Sequence, residues 1–264
     1  MVKVISKDGT SIAFDQSGKG PAIILVVGAF NDRATGAPLA QSLEPHFTVF
    51  NYDRRGRGES GDTAPYAIER EIEDLDALIA QAGGTAGVFG YSSGATLALR
   101  SAAHGLAISQ LALYDPPPTG AKAGDLAPQL TELIAVDRRG DAVELFQTEA
   151  VGIPAAIVAQ MRNAPFRPAL EKIAHTLVYE STILRSLPAG LIVSIRVPTL
   201  VIDGEGSPEA VRQSAQSLAE ALPDGRYHTL KGQGHDLNPA VLAPVLDEFF
   251  LAESTHNISG KLAS

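Results

Sequence analysis

A chain of 264 residues is long enough to bury one large core and too short for two enzyme domains of ordinary size. The absence of cysteine excludes disulfides, thiolate metal ligands and a thiol nucleophile, and 30 acidic against 21 basic residues give a net charge of −9 that disfavours nucleic acid as a partner. The first residues carry no long apolar run, so we expect a cytoplasmic protein with neither signal peptide nor membrane anchor.

The first half of the chain alternates between strand and helix patterns. Short alternating segments open it as a hairpin, and continuous apolar runs, typical of strands buried on both faces of a sheet, follow. The predicted strands are Val2–Ser6, Ser11–Asp15, Ala22–Val27, Phe47–Tyr52, Ala86–Phe89 and Ile108–Tyr114. The predicted helices are Pro38–Leu43, Tyr66–Ala82 and Ala95–His104.

A glycine-rich loop follows the fourth predicted strand. It contains Gly56-x-Gly58-x-x-Gly61, a spacing also found where a helix N-terminus binds a dinucleotide. Here Asp62–Pro65 interrupts any helix at that point, and the segment about twenty residues on, where a carboxylate at the end of a strand would bind ribose, is itself helical. We therefore interpret the loop as a structural turn and expect no nucleotide cofactor.

The sequence Gly90-Tyr91-Ser92-Ser93-Gly94 joins the fifth predicted strand to a helix. Gly-x-Ser-x-Gly in this setting is typical of a nucleophile elbow, in which the serine lies on a strained turn and small residues let the helix pass close to the strand. The helix N-terminus adds a partial positive charge where an oxyanion would form. These features predict that Ser92 is a nucleophile and that Ser93 contributes its backbone amide.

Strand patterns disappear between Thr119 and Pro188 and then resume. The predicted helices of this stretch are Leu126–Val136, Asp141–Glu149, Pro154–Arg162 and Pro168–Leu184. The remaining predicted elements are strands Val197–Ile202 and Arg226–Leu230, helices Pro208–Leu222 and Pro239–Leu251, and a polar tail, Glu253–Ser264. Alternating strands and helices predict an α/β fold with a doubly wound, mostly parallel eight-stranded sheet. Residues 1–118 and 189–264 would form its core, and 119–188 a helical lid that covers a substrate pocket.

These motifs resemble the α/β-hydrolase superfamily over nearly the whole chain. The resemblance rests on Gly90–Gly94, the Asp53–Ser60 loop, the glycine turn at Gly28, and Gly234-His235 after the last strand. It implies a Ser-acid-His relay in that chain order, with Ser92 as nucleophile and His235 as base.

The resemblance also implies an oxyanion hole formed by the backbone amides of Ala29 and Ser93, with Phe30 nearby. Many relatives have His-Gly where this chain has Val27-Gly28. Because the donor is a backbone amide, this change leaves the hole in place.

The identity of the acid is left open. Much of the family has its carboxylate a few residues past the glycine after the penultimate strand, and that position is Ser207 here. Asp115 and Asp203 each end a predicted strand, and Glu205 is a third possibility. We favour Asp115, because some relatives, among them certain haloalkane dehalogenases, have their acid at the matching position and because the prolines after Asp115 fix the chain there.

Together these residues predict a hydrolase that cleaves an ester or lactone of a small apolar molecule through an acyl-enzyme intermediate, without cofactor or metal. The same residues could serve carbon–carbon or thioester hydrolysis, or a hydrolase-like binding protein with little turnover. His175, in the predicted lid, is a candidate for the pocket lining. Apolar lid residues suggest an apolar pocket, although packing onto the sheet would explain them equally: Phe146, Ile153, Ile157, Met161, Phe166 and Leu170.

Overall fold

The computed structural model describes residues 1–119 and 122–252. Residues 120 and 121 of the predicted lid, and the predicted tail 253–264, lie outside the described residues. The strands are β1 Val2–Ile5, β2 Ser11–Gly18, β3 Ala22–Val26, β4 Thr48–Tyr52, β5 Ala86–Tyr91, β6 Ile108–Tyr114, β7 Thr199–Gly204 and β8 Gly225–Leu230. They form one sheet in the order β1-β2-β4-β3-β5-β6-β7-β8.

The sheet is mostly parallel, which confirms the predicted fold class. Among the described strands, the pairs β1–β2 and β2–β4 are antiparallel, whereas β4, β3, β5, β6, β7 and β8 run parallel to one another. All six residues of β5 are buried, as its apolar sequence requires of a central strand. The carboxyl ends of the central strands meet at one edge, where ligands of open α/β sheets bind.

Helices cover both faces of the sheet. They are α1 Arg33–Leu43, α2 Ile68–Gln81, α3 Ser93–Ala103, α10 Glu209–Ala221 and α11 Pro239–Ala252. One buried apolar cluster joins the sheet to α2, α3 and α10. A second joins its opposite face to α1 and α11. Because side chains alternate between faces along each strand, neighbouring strand residues belong to different clusters.

The segment between β6 and β7 is helical and is called the helical insertion below. Its helices are α4 Ala127–Ala135, α5 Arg139–Leu145, α6 Ala155–Gln160, α7 Arg167–Lys172, α8 Thr176–Ile183 and α9 Ala189–Ile192, with short 3₁₀ turns at Lys122–Asp125 and Met161–Asn163 and a π turn at Phe146–Ala150. A third apolar cluster forms its core, and Ala29 and Phe30 of the loop after β3 pack against this cluster. None of the described helices is long and apolar enough to cross a bilayer.

The predicted helix Pro168–Leu184 is interrupted, because α7 ends at Lys172 and α8 begins at Thr176. The Thr176 hydroxyl donates to the Ile173 carbonyl at 2.7 Å and stabilises the break. The break turns His175 towards Asp62 of the core, with 3.3 Å between Nε2 and Oδ2. Tertiary contacts of this kind outweigh the helical pattern of the sequence.

Candidate active site

Ser92 lies on a strained turn between β5 and α3. Its backbone angles are φ 56° and ψ −128°, in the region that glycine favours. A Cβ atom added at Gly90 would lie 2.6 Å from the Ala95 Cα, and one at Gly94 would lie 2.2 Å from the Val26 carbonyl oxygen. The two glycines therefore let strand and helix approach as the sequence predicts, and the Ser92 amide donates to the Tyr114 carbonyl at 2.9 Å.

Ser92, His235 and Asp115 form a hydrogen-bonded chain. His235 Nε2 lies 3.2 Å from Ser92 Oγ, and His235 Nδ1 lies 2.8 Å from Asp115 Oδ2. A carboxylate can only accept, so the hydrogen between His235 and Asp115 belongs to Nδ1. Nε2 is then the acceptor that faces the serine hydroxyl.

Asp115 is fully buried just after β6, with a positive φ of 48° that aspartate tolerates better than most residues. Its Oδ2 accepts from the Ser207 hydroxyl at 2.6 Å, and its Oδ1 accepts from the Gly204 amide at 3.2 Å. The resemblance described above implies the family's usual acid at the position of Ser207. Here its hydroxyl orients the carboxylate that comes from the neighbouring strand.

Asp203 is also fully buried, but it faces a different set of partners. Its Oδ2 accepts from the Tyr227 hydroxyl at 2.6 Å and lies 3.4 Å from Arg212 Nε. Glu205 accepts from the Gly232 amide at 2.9 Å. Of the three carboxylates considered from the sequence, Asp115 is the one that contacts His235.

Two tyrosines that the sequence does not single out hold the His235 loop. The Tyr91 hydroxyl donates to the His235 carbonyl at 2.5 Å, and the Tyr114 hydroxyl donates to the Gly234 carbonyl. Burial, and then the nearby Asp115, raise the pKa of both phenols, which keeps them protonated as donors. The tyrosines lie at the carboxyl ends of β5 and β6, so the sheet itself positions the histidine loop.

The loop after β3 passes directly beside the elbow. A Cβ atom at Gly28 would lie 2.9 Å from the Ser92 Cβ, so only glycine allows this approach. The Ala29 amide donates to the Ser93 hydroxyl at 2.9 Å. Ser93 is the first residue of α3, where a backbone amide has no acceptor within the helix. Phe30 follows with φ 62°.

A buried charged cluster lies behind this loop. It consists of Arg54 and Arg57 from the loop after β4, Glu71 from α2 and Glu180 from α8, and each of the four side chains is at most 2 % exposed. Arg54 Nη1 and Arg57 Nη2 both donate to Glu180 Oε1, the former at 2.8 Å. Burial alone would raise the pKa of Glu180, but Arg54, Arg57 and the Ser93 hydroxyl outweigh it and lower that pKa.

The candidate pocket residues of the helical insertion separate into different environments. Phe146 is buried and meets Phe30 edge to face, with 5.7 Å between the ring centroids. Ile157 and Phe166 are each 47 % exposed on the surface of the insertion. His175 pairs with Asp62. Within the described ranges, no group of three or more histidine, aspartate or glutamate side chains is arranged to hold a metal ion.

The chain resembles known proteins both in sequence and in structure. The sequence is 29 % identical to N-formylmaleamate deformylase of Pseudomonas putida over 229 residues, 83 % of each chain. The crystal structure of an alpha/beta hydrolase from Sphaerobacter thermophilus is 52 % identical and covers 94 % of this chain and 100 % of its own, with a TM-score of 0.87. An esterase from Thermogutta terrifontis shares the fold at 22 % identity, covering 99 % of this chain and 97 % of its own, with a TM-score of 0.69. The sequence matches the alpha/beta hydrolase family over residues 23–246, and the chain belongs to that family.

Proposed function

We propose that this protein is a serine hydrolase that cleaves an ester or lactone of a small apolar molecule through an acyl-enzyme intermediate. The observation that carries the proposal is the chain of hydrogen bonds from Ser92 Oγ to His235 Nε2, at 3.2 Å, and from His235 Nδ1 to Asp115 Oδ2, at 2.8 Å. A hydroxyl, an imidazole and a buried carboxylate in this order can make a serine nucleophilic.

In the proposed reaction, His235 Nε2 takes the proton of Ser92 while Oγ attacks the substrate carbonyl. The imidazolium then gives this proton to the leaving alkoxide, and the acyl group stays on Oγ. A water molecule, deprotonated by the same Nε2, attacks the acyl-enzyme and releases the acid and the free serine. Asp115, whose oxygens accept from Ser207 and Gly204, holds the imidazole ring in place and stabilises the imidazolium.

The oxyanion would be bound by the amides of Ser93 and Ala29. The Ser93 amide lies at the positive end of α3. The Ala29 amide donates to the Ser93 hydroxyl at 2.9 Å in this structure, so in the proposed reaction it would turn from that hydroxyl to the oxyanion. A donor that binds charge appearing only in the transition state contributes roughly 10²–10³ in rate.

We further propose that the helical insertion acts as a lid over the acyl group. The support is the contact between Phe30, beside the elbow, and Phe146 of the insertion. Both rings belong to the apolar surroundings of the loop after β3, which passes beside the elbow, and such surroundings favour an apolar acyl group over a charged one.

A fluorophosphonate label with peptide mapping tests the nucleophile. We expect the label on Ser92 in the native protein and its loss in Ser92→Ala, together with the loss of p-nitrophenyl acetate hydrolysis. The control is Ser217→Ala, which removes an exposed serine of α10. Undiminished turnover in Ser92→Ala, or a label on another serine, would remove Ser92 from the mechanism.

Hydrolysis of an N-formyl amide is a second candidate, favoured by the 29 % identity to N-formylmaleamate deformylase over 83 % of the chain. The same nucleophile and oxyanion hole would serve, but His235 would have to protonate an amide nitrogen as it leaves. Comparing kcat/KM for matched formate esters and N-formyl amides separates the two functions, since the proposed esterase prefers the ester.

A further inference from the structure

The loop that carries the proposed base is bound at its backbone by two phenols. The Tyr91 hydroxyl donates to the His235 carbonyl at 2.5 Å. The Tyr114 hydroxyl donates to the Gly234 carbonyl and lies 3.3 Å from the Asp236 carbonyl oxygen. Among the described residues, the hydrogen bonds to these three successive carbonyls all come from the two phenols. Tyr91 and Tyr114 are directly paired in the register of β5 and β6, so both phenols leave the sheet at the same level.

The backbone around His235 is not closely packed. A Cβ atom added at Gly234 would meet nothing within 4 Å, and the His235 side chain is 41 % exposed. The loop is tied to the turn after β7 one residue before Gly234, where the Gly206 amide donates to the Gln233 carbonyl at 2.7 Å. The position of His235 therefore depends on the two phenols at its backbone and on Asp115 at Nδ1.

The same two tyrosines are joined to the other members of the relay. Tyr91 directly precedes Ser92, and Tyr114 directly precedes Asp115. The Tyr114 carbonyl accepts from the Ser92 amide at 2.9 Å, so Tyr114 binds the nucleophile through its backbone and the base loop through its side chain. The Tyr91 ring lies beside the imidazole of His235, with 5.1 Å between the ring centroids. Two rigid side chains therefore connect the nucleophile to the base, which lie far apart along the chain.

We infer that Tyr91 and Tyr114 are positioning residues that fix the distance between Ser92 Oγ and His235 Nε2, which is 3.2 Å here. A base takes a proton only within hydrogen-bond reach, so a loop released from both phenols would carry Nε2 out of reach of the serine for part of the time. This inference rests on the proposed serine hydrolase function. It gives the two tyrosines a part in catalysis through the backbone of His235.

Tyr91→Phe and Tyr114→Phe test the inference, because each removes one hydroxyl and keeps the ring. Each should lower kcat by about 2- to 5-fold, the lower part of the range for one hydrogen bond, since the other phenol stays in place. KM should change less than about threefold. The matched control is Tyr227→Phe, which removes the 2.6 Å hydrogen bond to Asp203 Oδ2 on the same sheet. It should leave kcat at the native value.

The double variant tests whether the two phenols hold one loop. Its loss of kcat should exceed the product of the two single losses and reach about 100-fold, the cost of displacing a catalytic group by about 1 Å. The rate of fluorophosphonate labelling at Ser92 should fall in parallel. A proton spectrum taken well below the melting temperature should show the downfield resonance of the His235 Nδ1 hydrogen in the native protein and in Tyr227→Phe. In the double variant, exchange with water should remove it.

Three outcomes would overturn the inference. They are single variants with the kcat of Tyr227→Phe, a loss that appears in KM at unchanged kcat, and a double-variant loss equal to the product of the single losses. The single variants decide the question even if the double variant does not fold. In all three cases a native protein that takes the fluorophosphonate on Ser92 keeps its proposed function. A native protein that does not take the label loses the proposed function, and the inference fails with it.

Discussion

At the scale of single residues, two carboxylates are candidates for the acid of the proposed Ser-acid-His relay. Asp115 and Asp203 are both fully buried near the carboxyl ends of neighbouring strands. Their partners differ, because Asp115 contacts His235 and Ser207 whereas Asp203 contacts Tyr227 and Arg212. Burial therefore does not distinguish the two carboxylates as candidate acids, whereas the direction in which each side chain points does.

Substituting each carboxylate by its amide should give unequal losses of activity. We expect Asp115→Asn to lower kcat by about 10³–10⁴, since a carboxamide no longer stabilises the imidazolium or fixes its tautomer. Asp203→Asn should change kcat by less than about threefold, because its hydrogen bonds lie away from His235. Steady-state kinetics on one ester substrate compare the two. A larger loss in Asp203→Asn would reverse the assignment.

Ser207 offers a finer test of how the acid is held. Ser207→Ala removes the 2.6 Å hydrogen bond to Asp115 Oδ2 and leaves the bond from the Gly204 amide. A hydrogen bond to a charged group is worth about 1.5–3 kcal/mol, so kcat should fall by roughly 3- to 12-fold if half of this acts on the reaction. Ser217→Ala, on the exposed side of α10, serves as the control and should match the native kcat. Equal activity of the two variants would exclude an orienting role for Ser207.

At the scale of elements, the elbow depends on the close approach of α3 to β3 and β5. Gly94→Ala would bring a Cβ atom to 2.2 Å from the Val26 carbonyl oxygen, and neither backbone can move without shifting a buried strand or helix. We expect a loss of about 3 kcal/mol or more in the free energy of unfolding. Gly190→Ala is the matched control, because a Cβ atom there meets nothing within 4 Å. Urea unfolding of both variants measures the difference, and equal midpoints would contradict this account.

The elements that the sequence predicts well are those with local signals. Continuous apolar runs indicate the central strands, and alternation indicates the opening hairpin. Gly90 and Gly94 indicate the elbow, because a side chain at either position would clash with the neighbouring backbone. The end of β2 is less well predicted, since its last residues, up to Gly18, pair with β4 and carry no alternating pattern of their own. Pairing between strands that are distant in sequence produces no pattern in the local sequence of either strand.

The supporting parts of the site are not predictable in the same way. Glu180 and Arg57 lie 123 residues apart in sequence, and nothing in either neighbourhood indicates that both are buried and paired. Charged residues in a helical pattern usually face water. Likewise, the sequence around Tyr91 and Tyr114 indicates only two strand residues. Their hydrogen bonds to the His235 loop exist because the fold places that loop beside them. Such contacts depend on the whole fold.

At the scale of the whole molecule, the helical insertion is tied to the core by polar contacts as well as by its apolar cluster. Asp62, in the loop after β4, accepts from the Tyr179 hydroxyl at 2.8 Å and lies 3.3 Å from His175 Nε2. On the other side, Arg100 of α3 donates to the Ile183 carbonyl at 2.8 Å. The insertion is therefore attached to the core near both ends of α8.

Stability should depend on pH through Asp62. Partial burial tends to raise the pKa of Asp62, but the hydrogen bonds with His175 and Tyr179 outweigh it and lower that pKa. A lowered pKa stabilises the folded protein above the ordinary aspartate value of about 3.9, and the contribution is lost as the pH falls through the folded value. Asp62→Asn should therefore melt about 2 °C below the native protein at pH 5, with the gap closing below about pH 4.

Thermal melts from pH 3 to pH 6 measure this dependence. Asp76→Asn, at an exposed position of α2, is the control and should follow the native curve throughout. A gap between Asp62→Asn and the native protein that persists unchanged at pH 3 would show that the carboxylate charge does not act through these bonds.

The long separation of Ser92 from His235 has a consequence for biosynthesis. The two residues are 143 positions apart, so at about 5–20 residues per second the ribosome adds the imidazole roughly 7 to 30 s after the hydroxyl. The proposed nucleophile therefore lacks its proposed base during much of translation. The hydrogen bond between the two side chains can form only when β8 and the loop that follows it have been synthesised and have joined the sheet.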